Sequence, residues 1–123
     1  MKVCVLGSHG FIGKNLLRDM DWVGVTRNDL DLTDQKAVET YFKIHKYDVV
    51  IHCAVVGGSR LKKDESDVIY KNILMFENVV RVFKGKLIYF SSGATLRDNP
   101  PTDPYGLSKW IIDKRIETIP NAY

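Results

Sequence analysis

The chain has 123 residues, which is enough for one domain and too short for two of ordinary size. Apolar residues make up 45% and charged residues 27%, a globular balance that excludes extended disorder. The net charge of +3 is spread out, so no basic cluster of the nucleic-acid-binding kind stands out. No apolar run reaches the roughly 18 residues of a membrane span. We therefore expect one cytoplasmic domain, residues 1–123, with no membrane, nucleic-acid or metal site, and with Cys4 and Cys53 as buried free thiols.

Short apolar runs alternate with helical patterns along the whole chain. Strands are predicted at 2–6, 22–25, 48–54 and 86–90. Helices are predicted at 11–20, from Thr33 or Asp34 as N-cap to about 45, at 65–83 and at 105–118, with loops at 55–60 and 91–103. The predicted inward residues are Ala37, Val38, Tyr41, Phe42, Ile44, Val68, Ile69, Ile73, Phe76, Val79 and Val80. This order predicts an α/β fold of the doubly wound Rossmann type, whose parallel sheet is covered on both faces.

Ligands of such sheets bind beyond the carboxyl ends of the strands, where the loops after Leu6, Val25, Ala54 and Phe90 meet. The first of these loops has the spacing G-x-x-G-x-x-G between a strand and a helix. Gly7 permits a tight turn, Gly10 lets a pyrophosphate approach the backbone, and Gly13 lets the helix pack closely on the strand. The pattern predicts a dinucleotide site whose residues are Gly7, Ser8, His9, Gly10, Phe11, Ile12 and Gly13.

Two alternatives remain open for this loop. The glycines could form a tight turn without a ligand, and His9 could contact phosphate or be a solvated loop residue.

The residue after the second strand indicates which dinucleotide is bound. NAD-binding units carry an acidic residue there, which holds the ribose 2′-hydroxyl, whereas this chain has Arg27. A guanidinium can bind a 2′-phosphate bidentately, so we expect NADP in preference to NAD. The alternative is that Arg27 is a surface residue and that Asp29 or Asp31 binds the ribose or adenine.

Tyr105 and Lys109 are four residues apart and lie on one face of the last predicted helix. A tyrosine hydroxyl has a pKa of about 10, too high for efficient proton transfer near neutrality. A neighbouring ammonium would lower that pKa, and Tyr105 could then act as general acid or base on a carbinol or carbonyl. By itself the spacing is also typical of a helix surface.

Together these segments resemble the extended short-chain dehydrogenase/reductases, the NAD(P)-dependent epimerase/dehydratase group. The resemblance covers almost the whole chain and is carried by 7–13, 50–54, Asn72, 90–94 and 103–109. Within the group, 25–34, 55–58 and 69–72 are most similar to GDP-L-fucose synthase, a subfamily that uses NADP.

The resemblance implies a Ser–Tyr–Lys site. Tyr105 would transfer the proton, Lys109 would bind the nicotinamide ribose, and Ser92, or failing that Ser91, would hydrogen-bond the substrate oxygen. The cofactor site would also include Arg27, Asp31, Leu32, Cys53, Ala54, Val55, Asn72, Tyr105 and Lys109. Asn72 could instead be a capping or packing group.

The chain departs from the family pattern in two places. Thr95-Leu96-Arg97 stand where V-Y-G is usual, and the chain is about half as long as a typical member. We expect the edge beside residues 86–90 to be unpaired without the strand that usually follows, which would favour a homodimer. A truncation, a naturally reduced protein and a partner chain that completes the site are all consistent with this length.

Two functions follow from these observations. The first is an NAD(P)-dependent oxidoreductase or epimerase that acts on a nucleotide-activated sugar by hydride transfer. The second is a cofactor-binding regulatory or partner-binding module without turnover, because the substrate lobe of the family is missing. A flavodoxin-like fold that binds another phosphate ligand is a third, more remote interpretation.

Overall fold

Four parallel strands form the central sheet, in the spatial order β2-β1-β3-β4. The computed structural model describes residues 1–58 and 64–123. The strands are β1 (Val3–Leu6), β2 (Val23–Val25), β3 (Val49–His52) and β4 (Lys86–Tyr89). The helices are α1 (Phe11–Leu17), α2 (Gln35–Ile44), α3 (Asp67–Val82) and α4 (Pro104–Ile116), with a short 3₁₀ helix at Gly93–Leu96 inside the last loop. This arrangement confirms the predicted Rossmann-type α/β fold.

The sheet separates two apolar layers, because each of its faces packs on helices. The larger layer contains Leu6, Val50 and Leu87 from the sheet, together with Phe76 and Val79 of α3. The smaller layer lies on the opposite face and joins Val3, Val5, Val49 and Ile51 to residues around α1. Strands covered on both faces are apolar throughout, which is why β1 and β3 appear in the sequence as continuous apolar runs.

The helix ends follow from local capping. Asp34 is the N-cap of α2, and its carboxylate accepts a hydrogen bond from the Ala37 amide at 3.1 Å. Asp103 caps α4 in the same way through the Gly106 amide at 2.9 Å, and Pro104 occupies the first helical position. Of the two residues predicted as the N-cap of α2, Thr33 and Asp34, the structure shows that Asp34 is the cap.

Several details differ from the sequence-based expectations. Ile44 was predicted to face inward, but it is 70% exposed, because it sits in the last turn of α2 beside the chain's turn toward β3. On α3, Val68, Phe76 and Val79 are buried, while Ile69, Ile73 and Val80 are only half-buried. Both cysteines are free, but only Cys4 is fully buried; Cys53 is half-buried. The loop predicted at 55–60 is seen as far as Gly58, and its last two residues lie outside the described part of the chain.

The outer edge of β4 is paired, which corrects the expectation of an open edge. The Leu87 amide donates to the Asn121 carbonyl at 2.9 Å, and the Tyr123 amide donates to the Leu87 carbonyl at 2.8 Å. The Tyr89 amide donates to the Tyr123 carbonyl at 2.9 Å, so residues 121–123 run parallel to β4. The turn after α4, closed by the bond from the Ile119 amide to the Ile116 carbonyl at 3.0 Å, directs these residues back to the sheet.

Candidate active site

A cleft of about 510 Å³ opens at the carboxyl ends of β1, β2 and β3. The chain passes from β1 to β2 on one side and later to β3 on the other, so the crossover connections diverge at this point. Parallel α/β sheets bind their ligands where the connections diverge in this way. The predicted residues that line the cleft are Gly7, His9, Gly10, Arg27, Asp31, Leu32, Cys53, Ala54 and Val55.

The three glycines of the first loop differ in what surrounds them. Gly7 has a φ of +79°, and a Cβ there would lie 2.6 Å from the Ala54 backbone nitrogen. A Cβ on Gly13 would overlap the Gly7 carbonyl oxygen. A Cβ on Gly10 would meet only the Gly7 oxygen, at 3.4 Å. The fold itself therefore requires Gly7 and Gly13, whereas Gly10 is exposed at the cleft and has room for a small side chain.

The loop is held against β2 by its own backbone. The amides of Gly7 and Ser8 both donate to the Val25 carbonyl, at 3.0 and 3.2 Å. Ser8 is buried beneath the loop, and Phe11 is 85% exposed. Phe11, Ile12 and Gly13 form the first turn of α1, and the amides of a first helical turn have no partner inside the helix. Phe11, Ile12 and Gly13 would therefore contribute backbone amides to a ligand site, and not side chains.

The turn after β2 separates the roles of its two acidic residues. The Asp29 carboxylate accepts bonds from the Thr26 amide at 2.8 Å and the Thr26 hydroxyl at 2.9 Å, and these bonds hold its pKa below the usual range. Asp29 thus closes the turn, while Arg27 and Asp31 line the cleft. Asp31 accepts bonds from the amide and hydroxyl of Thr33, which lower its pKa, and the charge of Arg27 acts in the same direction.

Sequence reasoning missed part of the cleft wall, namely Leu6, Val25, Thr26, Leu30, Thr33, Val56, Lys71 and Met75. Lys71 and Met75 are one helical turn apart on α3, which packs beside the cleft. The sequence shows that both residues are close to Asn72 on the same predicted helix. The face of α3 that reaches the cleft depends on how the helix docks, and no local pattern specifies that.

Asn72 is buried and lies behind the cleft, without lining it. Its amide oxygen accepts from the Val56 amide at 2.8 Å, and its Nδ2 donates to the Val56 carbonyl at 3.0 Å and to the Ser108 hydroxyl at 3.1 Å. The Ser108 hydroxyl in turn donates to the Tyr105 carbonyl at 2.8 Å. Asn72 therefore ties the loop after β3 to the turn of α4 that carries Tyr105.

Tyr105 is half-buried at the start of α4 and packs against the loop after β3. A Cβ on Gly58 would lie 2.9 Å from the edge of its ring, so only a glycine backbone can pass so close. A Cβ on Gly106 would lie 3.0 Å from the Ala94 carbonyl oxygen, so the missing side chain lets α4 pack on the 3₁₀ helix. These two close approaches bring Tyr105 between the cleft loop and the segment that begins with Ser92.

Lys109 is only 4% exposed, and its ammonium donates to the Phe90 carbonyl at 2.6 Å. It lies 4.4 Å from the centre of the Tyr89 ring and 5.9 Å from the centre of the Tyr105 ring. Burial lowers the pKa of Lys109 to about 8, against the opposing effect of Asp113. The ammonium therefore lies between the Tyr105 ring and the sheet, close to Cys53, which lines the cleft.

The two serines after β4 make different bonds. The Ser91 hydroxyl donates its proton to the Asp113 carboxylate at 2.7 Å. The Ser92 hydroxyl accepts a bond from the Ala94 amide at 3.1 Å as the N-cap of the 3₁₀ helix, and within residues 1–58 and 64–123 it donates its own proton to no acceptor. Ser92 is also half-exposed.

The fold and site define a nucleotide-binding α/β domain, and comparison with known proteins identifies its family. A model of the NAD dependent epimerase/dehydratase family matches residues 3–123, and the chain belongs to that family. This confirms the resemblance inferred from the motifs.

Curated relatives include several enzymes of nucleotide-sugar metabolism. UDP-glucose 4-epimerase of Bos taurus is 31% identical over 132 aligned positions, which cover 92% of this chain and 38% of that protein. GDP-L-colitose synthase of Yersinia pseudotuberculosis is 38% identical over 64 positions, 47% of this chain and 21% of that protein. GDP-L-fucose synthase of Azorhizobium caulinodans is 35% identical over 86 positions, 64% of this chain and 28% of that protein. The chain thus spans less than half the length of these relatives.

Solved structures agree on the fold. The dTDP-4-dehydrorhamnose reductase of Bacillus anthracis, in complex with NADP, superposes with a TM-score of 0.83 at 24% identity, over all of this chain and 52% of that one. A GDP-mannoheptose C4 reductase of Campylobacter jejuni with NADP bound gives 0.81 at 25% identity, over 95% and 43%. In residues 1–58 and 64–123, no helix is both long and apolar enough to cross a membrane.

Proposed function

We propose that this chain is the cofactor-binding part of an NADP-dependent reductase or epimerase that acts on a nucleotide-activated sugar. The observation that carries the proposal is the cleft itself. A glycine loop, an arginine in place of the usual acidic residue, and the segment 53–55 all face one space at the end of a parallel sheet. Bound NADP would supply or accept the hydride, and this chain's residues would hold the dinucleotide and move the proton.

Each wall of the cleft has a part in holding the cofactor. The first turn of α1, Phe11 to Gly13, offers main-chain amides to the pyrophosphate, since Gly10 has no side chain in the way. The planar guanidinium of Arg27 can donate two hydrogen bonds to the 2′-phosphate. Asp31 and Leu32 border the adenosine side, and Cys53, Ala54 and Val55 border the middle of the dinucleotide.

Proton transfer is assigned to Tyr105, with Ser92 as the donor to the substrate oxygen. The Lys109 ammonium lies 5.9 Å from the centre of the Tyr105 ring, so it is a neighbouring cation for the group that transfers the proton. Ser92 is preferred to Ser91, because the Ser91 proton is already donated to Asp113. Asn72 supports the site through the backbone of Val56 and the hydroxyl of Ser108.

The cofactor choice is tested by calorimetric titration of the folded chain with NADP⁺ and with NAD⁺. We expect tighter binding of NADP⁺, and Arg27→Ala should weaken it by about ten- to a hundredfold, the value of a charge-assisted pair, while NAD⁺ binding changes little. Arg18→Ala is the matched control, since Arg18 is an exposed arginine directly after α1 and outside the cleft. Tighter binding of NAD⁺, unaffected by Arg27→Ala, would show that NAD is the cofactor.

Turnover is tested separately, by following NADPH oxidation with GDP-4-keto-6-deoxymannose and formation of the 4-epimer from UDP-glucose, because an epimerase returns the hydride and leaves the cofactor unchanged. If the chain is catalytic, Tyr105→Phe should abolish the signal with little change in NADP⁺ affinity, because the ring and its packing on Gly58 are kept. The second candidate function is a cofactor-binding module without turnover, favoured by the cleft lining within residues 1–58 and 64–123, which does not include Ser92, Tyr105 or Lys109. Binding without turnover on any nucleotide sugar would support that alternative.

A further inference from the structure

Two consecutive residues after β4 are each bonded to the same helix. The Phe90 carbonyl accepts a bond from the Lys109 ammonium at 2.6 Å, and the Ser91 hydroxyl donates to the Asp113 carboxylate at 2.7 Å. Lys109 and Asp113 are four residues apart on α4, so they lie on one face of the helix. The segment that leads into Ser92 is therefore held at two points along one face of α4.

We propose that Asp113, oriented by Ser91, is a positioning residue that keeps Lys109 charged and directed at the Tyr105 side of the site. The catalytic use of Lys109 rests on the proposed function, but its dependence on Asp113 does not. Ser91 then has a role of its own: it holds the carboxylate and does not contact the substrate.

The surroundings of Lys109 explain why a carboxylate is needed. An ammonium that is nearly inaccessible to water loses most of its hydration, which disfavours the charged form. The rings of Tyr89 and Tyr105 lie 4.4 and 5.9 Å from the ammonium, and His52 and Cys53 at the end of β3 are within electrostatic range. Asp113 forms no ion pair with Lys109, but the two side chains are bonded to the adjacent residues Ser91 and Phe90, which keeps the carboxylate near the ammonium. Asp113 is the carboxylate among these groups.

The other groups do not supply a negative charge near neutral pH. Burial raises the pKa of the Cys53 thiol to about 11 and keeps Tyr89 protonated by raising its pKa strongly. Burial also lowers the pKa of His52 to about 4, so its ring is neutral. Asp113 is thus the compensating charge, and the Ser91 hydroxyl fixes where that charge sits.

The experiment measures the protonation of Lys109 directly, without cofactor or substrate. The chain is labelled with ¹³C at lysine Cε, the Lys109 signal is assigned with Lys109→Arg, and its chemical shift is followed from pH 6 to 11. We expect the titration midpoint, near 8 in the unmodified chain, to fall by about half a pH unit or more in Asp113→Asn. Ser91→Ala, which keeps the carboxylate but frees its orientation, should give a smaller fall in the same direction.

The matched control is Glu117→Gln, which removes an exposed carboxylate just after the end of α4 and should leave the midpoint unchanged. If Asp113→Asn gives the same midpoint as this control, the proposal is overturned; an unchanged midpoint in Ser91→Ala overturns the part assigned to Ser91. Should Asp113→Asn not fold, Asp113→Ser, which also removes the negative charge, decides in its place. Failure of the proposed function would appear elsewhere, as a lack of pyridine-nucleotide binding by the unmodified chain.

Discussion

At the scale of single residues, some glycines of the first loop are required for folding and another is available to a ligand. Gly7 and Gly13 are enclosed by backbone, and Gly10 is not. The sequence motif already predicted this division, with Gly7 in a tight turn, Gly13 at the helix–strand contact and Gly10 beside the ligand. The structure adds the backbone atoms that a Cβ at Gly7 or Gly13 would meet, which depend on how the loop packs against β2 and the end of β3.

This difference predicts opposite outcomes for two alanine variants. Gly13→Ala should lower the free energy of unfolding by about 2 kcal/mol or more, since its Cβ overlaps the Gly7 carbonyl. Gly10→Ala should change it by less than about 0.5 kcal/mol, yet weaken NADP⁺ binding about tenfold, because its methyl group faces the cleft. Chemical denaturation and calorimetry measure the two quantities. Gly93→Ala, with nothing near its Cβ, is the control, and unimpaired binding by Gly10→Ala would argue against the pyrophosphate site.

His52 is a second residue whose surroundings set its behaviour. It is buried between Phe76 and Tyr89, and neither ring nitrogen has a hydrogen-bond partner among residues 1–58 and 64–123. Burial, assisted by the charge of Lys109, lowers its pKa from 6.5 to about 4. Between these two values the unfolded chain binds a proton that the folded chain does not, so acidification favours unfolding.

We expect the free energy of unfolding to fall by about 1.5 kcal/mol from pH 6.5 to pH 5 on account of His52. This window lies above the ordinary pKa of the carboxylates, so their protonation adds little. Urea denaturation across the window measures the slope. His52→Leu should remove most of it, whereas His45→Gln, at an exposed position, should not. An equal slope in His52→Leu would place the acid-sensitive group elsewhere.

At the scale of the elements, sequence and structure agree closely, because capping residues and apolar periodicity are local. The order of strands and helices and the Asp34 cap follow from neighbours in the chain. The start of α4 at Pro104 instead of Tyr105, and the end of α1 at Leu17 instead of Met20, were not predicted. The sequence did not reveal the 3₁₀ helix at Gly93–Leu96, which depends on the packing of Ala94 against Gly106. Nor did it reveal the bond from Ser91 to Asp113, whose partners are 22 residues apart.

The cap of α2 provides a test at this scale. Asp34→Ala removes the bond to the Ala37 amide and should cost about 1 kcal/mol of unfolding free energy. Thermal or chemical denaturation measures the loss, and Asp34→Asn, which keeps an acceptor oxygen, should recover most of it. The mutation lies outside the described cleft, so NADP⁺ affinity should stay the same. No loss of stability in Asp34→Ala would mean that the cap contributes little to α2.

At the scale of the whole molecule, the main correction concerns the edge of the sheet. Three backbone hydrogen bonds join residues 121–123 to β4, so the exposed edge that favoured a homodimer is covered along the described strand. No local pattern indicated this, because a three-residue segment is too short to show periodicity. The family assignment, in contrast, was available from the motifs, since dinucleotide binding constrains residues that are close in sequence.

Removing residues 121–123 should therefore lower the free energy of unfolding and promote self-association, because the β4 edge would be uncovered. Denaturation curves and sedimentation at several concentrations measure both effects. Tyr123→Ala keeps the backbone bonds and removes only an exposed ring, so it should associate no more than the unmodified chain. Monomeric behaviour after the deletion would show that the edge is protected by other means.

The two cysteines differ in exposure, so labelling of the more exposed thiol can report whether the cleft is occupied. Cys53 borders the cleft with part of its surface open, while Cys4 is sealed in the sheet, and burial raises their pKa values to about 11 and about 12. An uncharged thiol reagent at mildly alkaline pH should label the folded chain slowly and once, at Cys53. Protection of that thiol by NADP⁺ would then report occupancy of the cleft without any engineered probe.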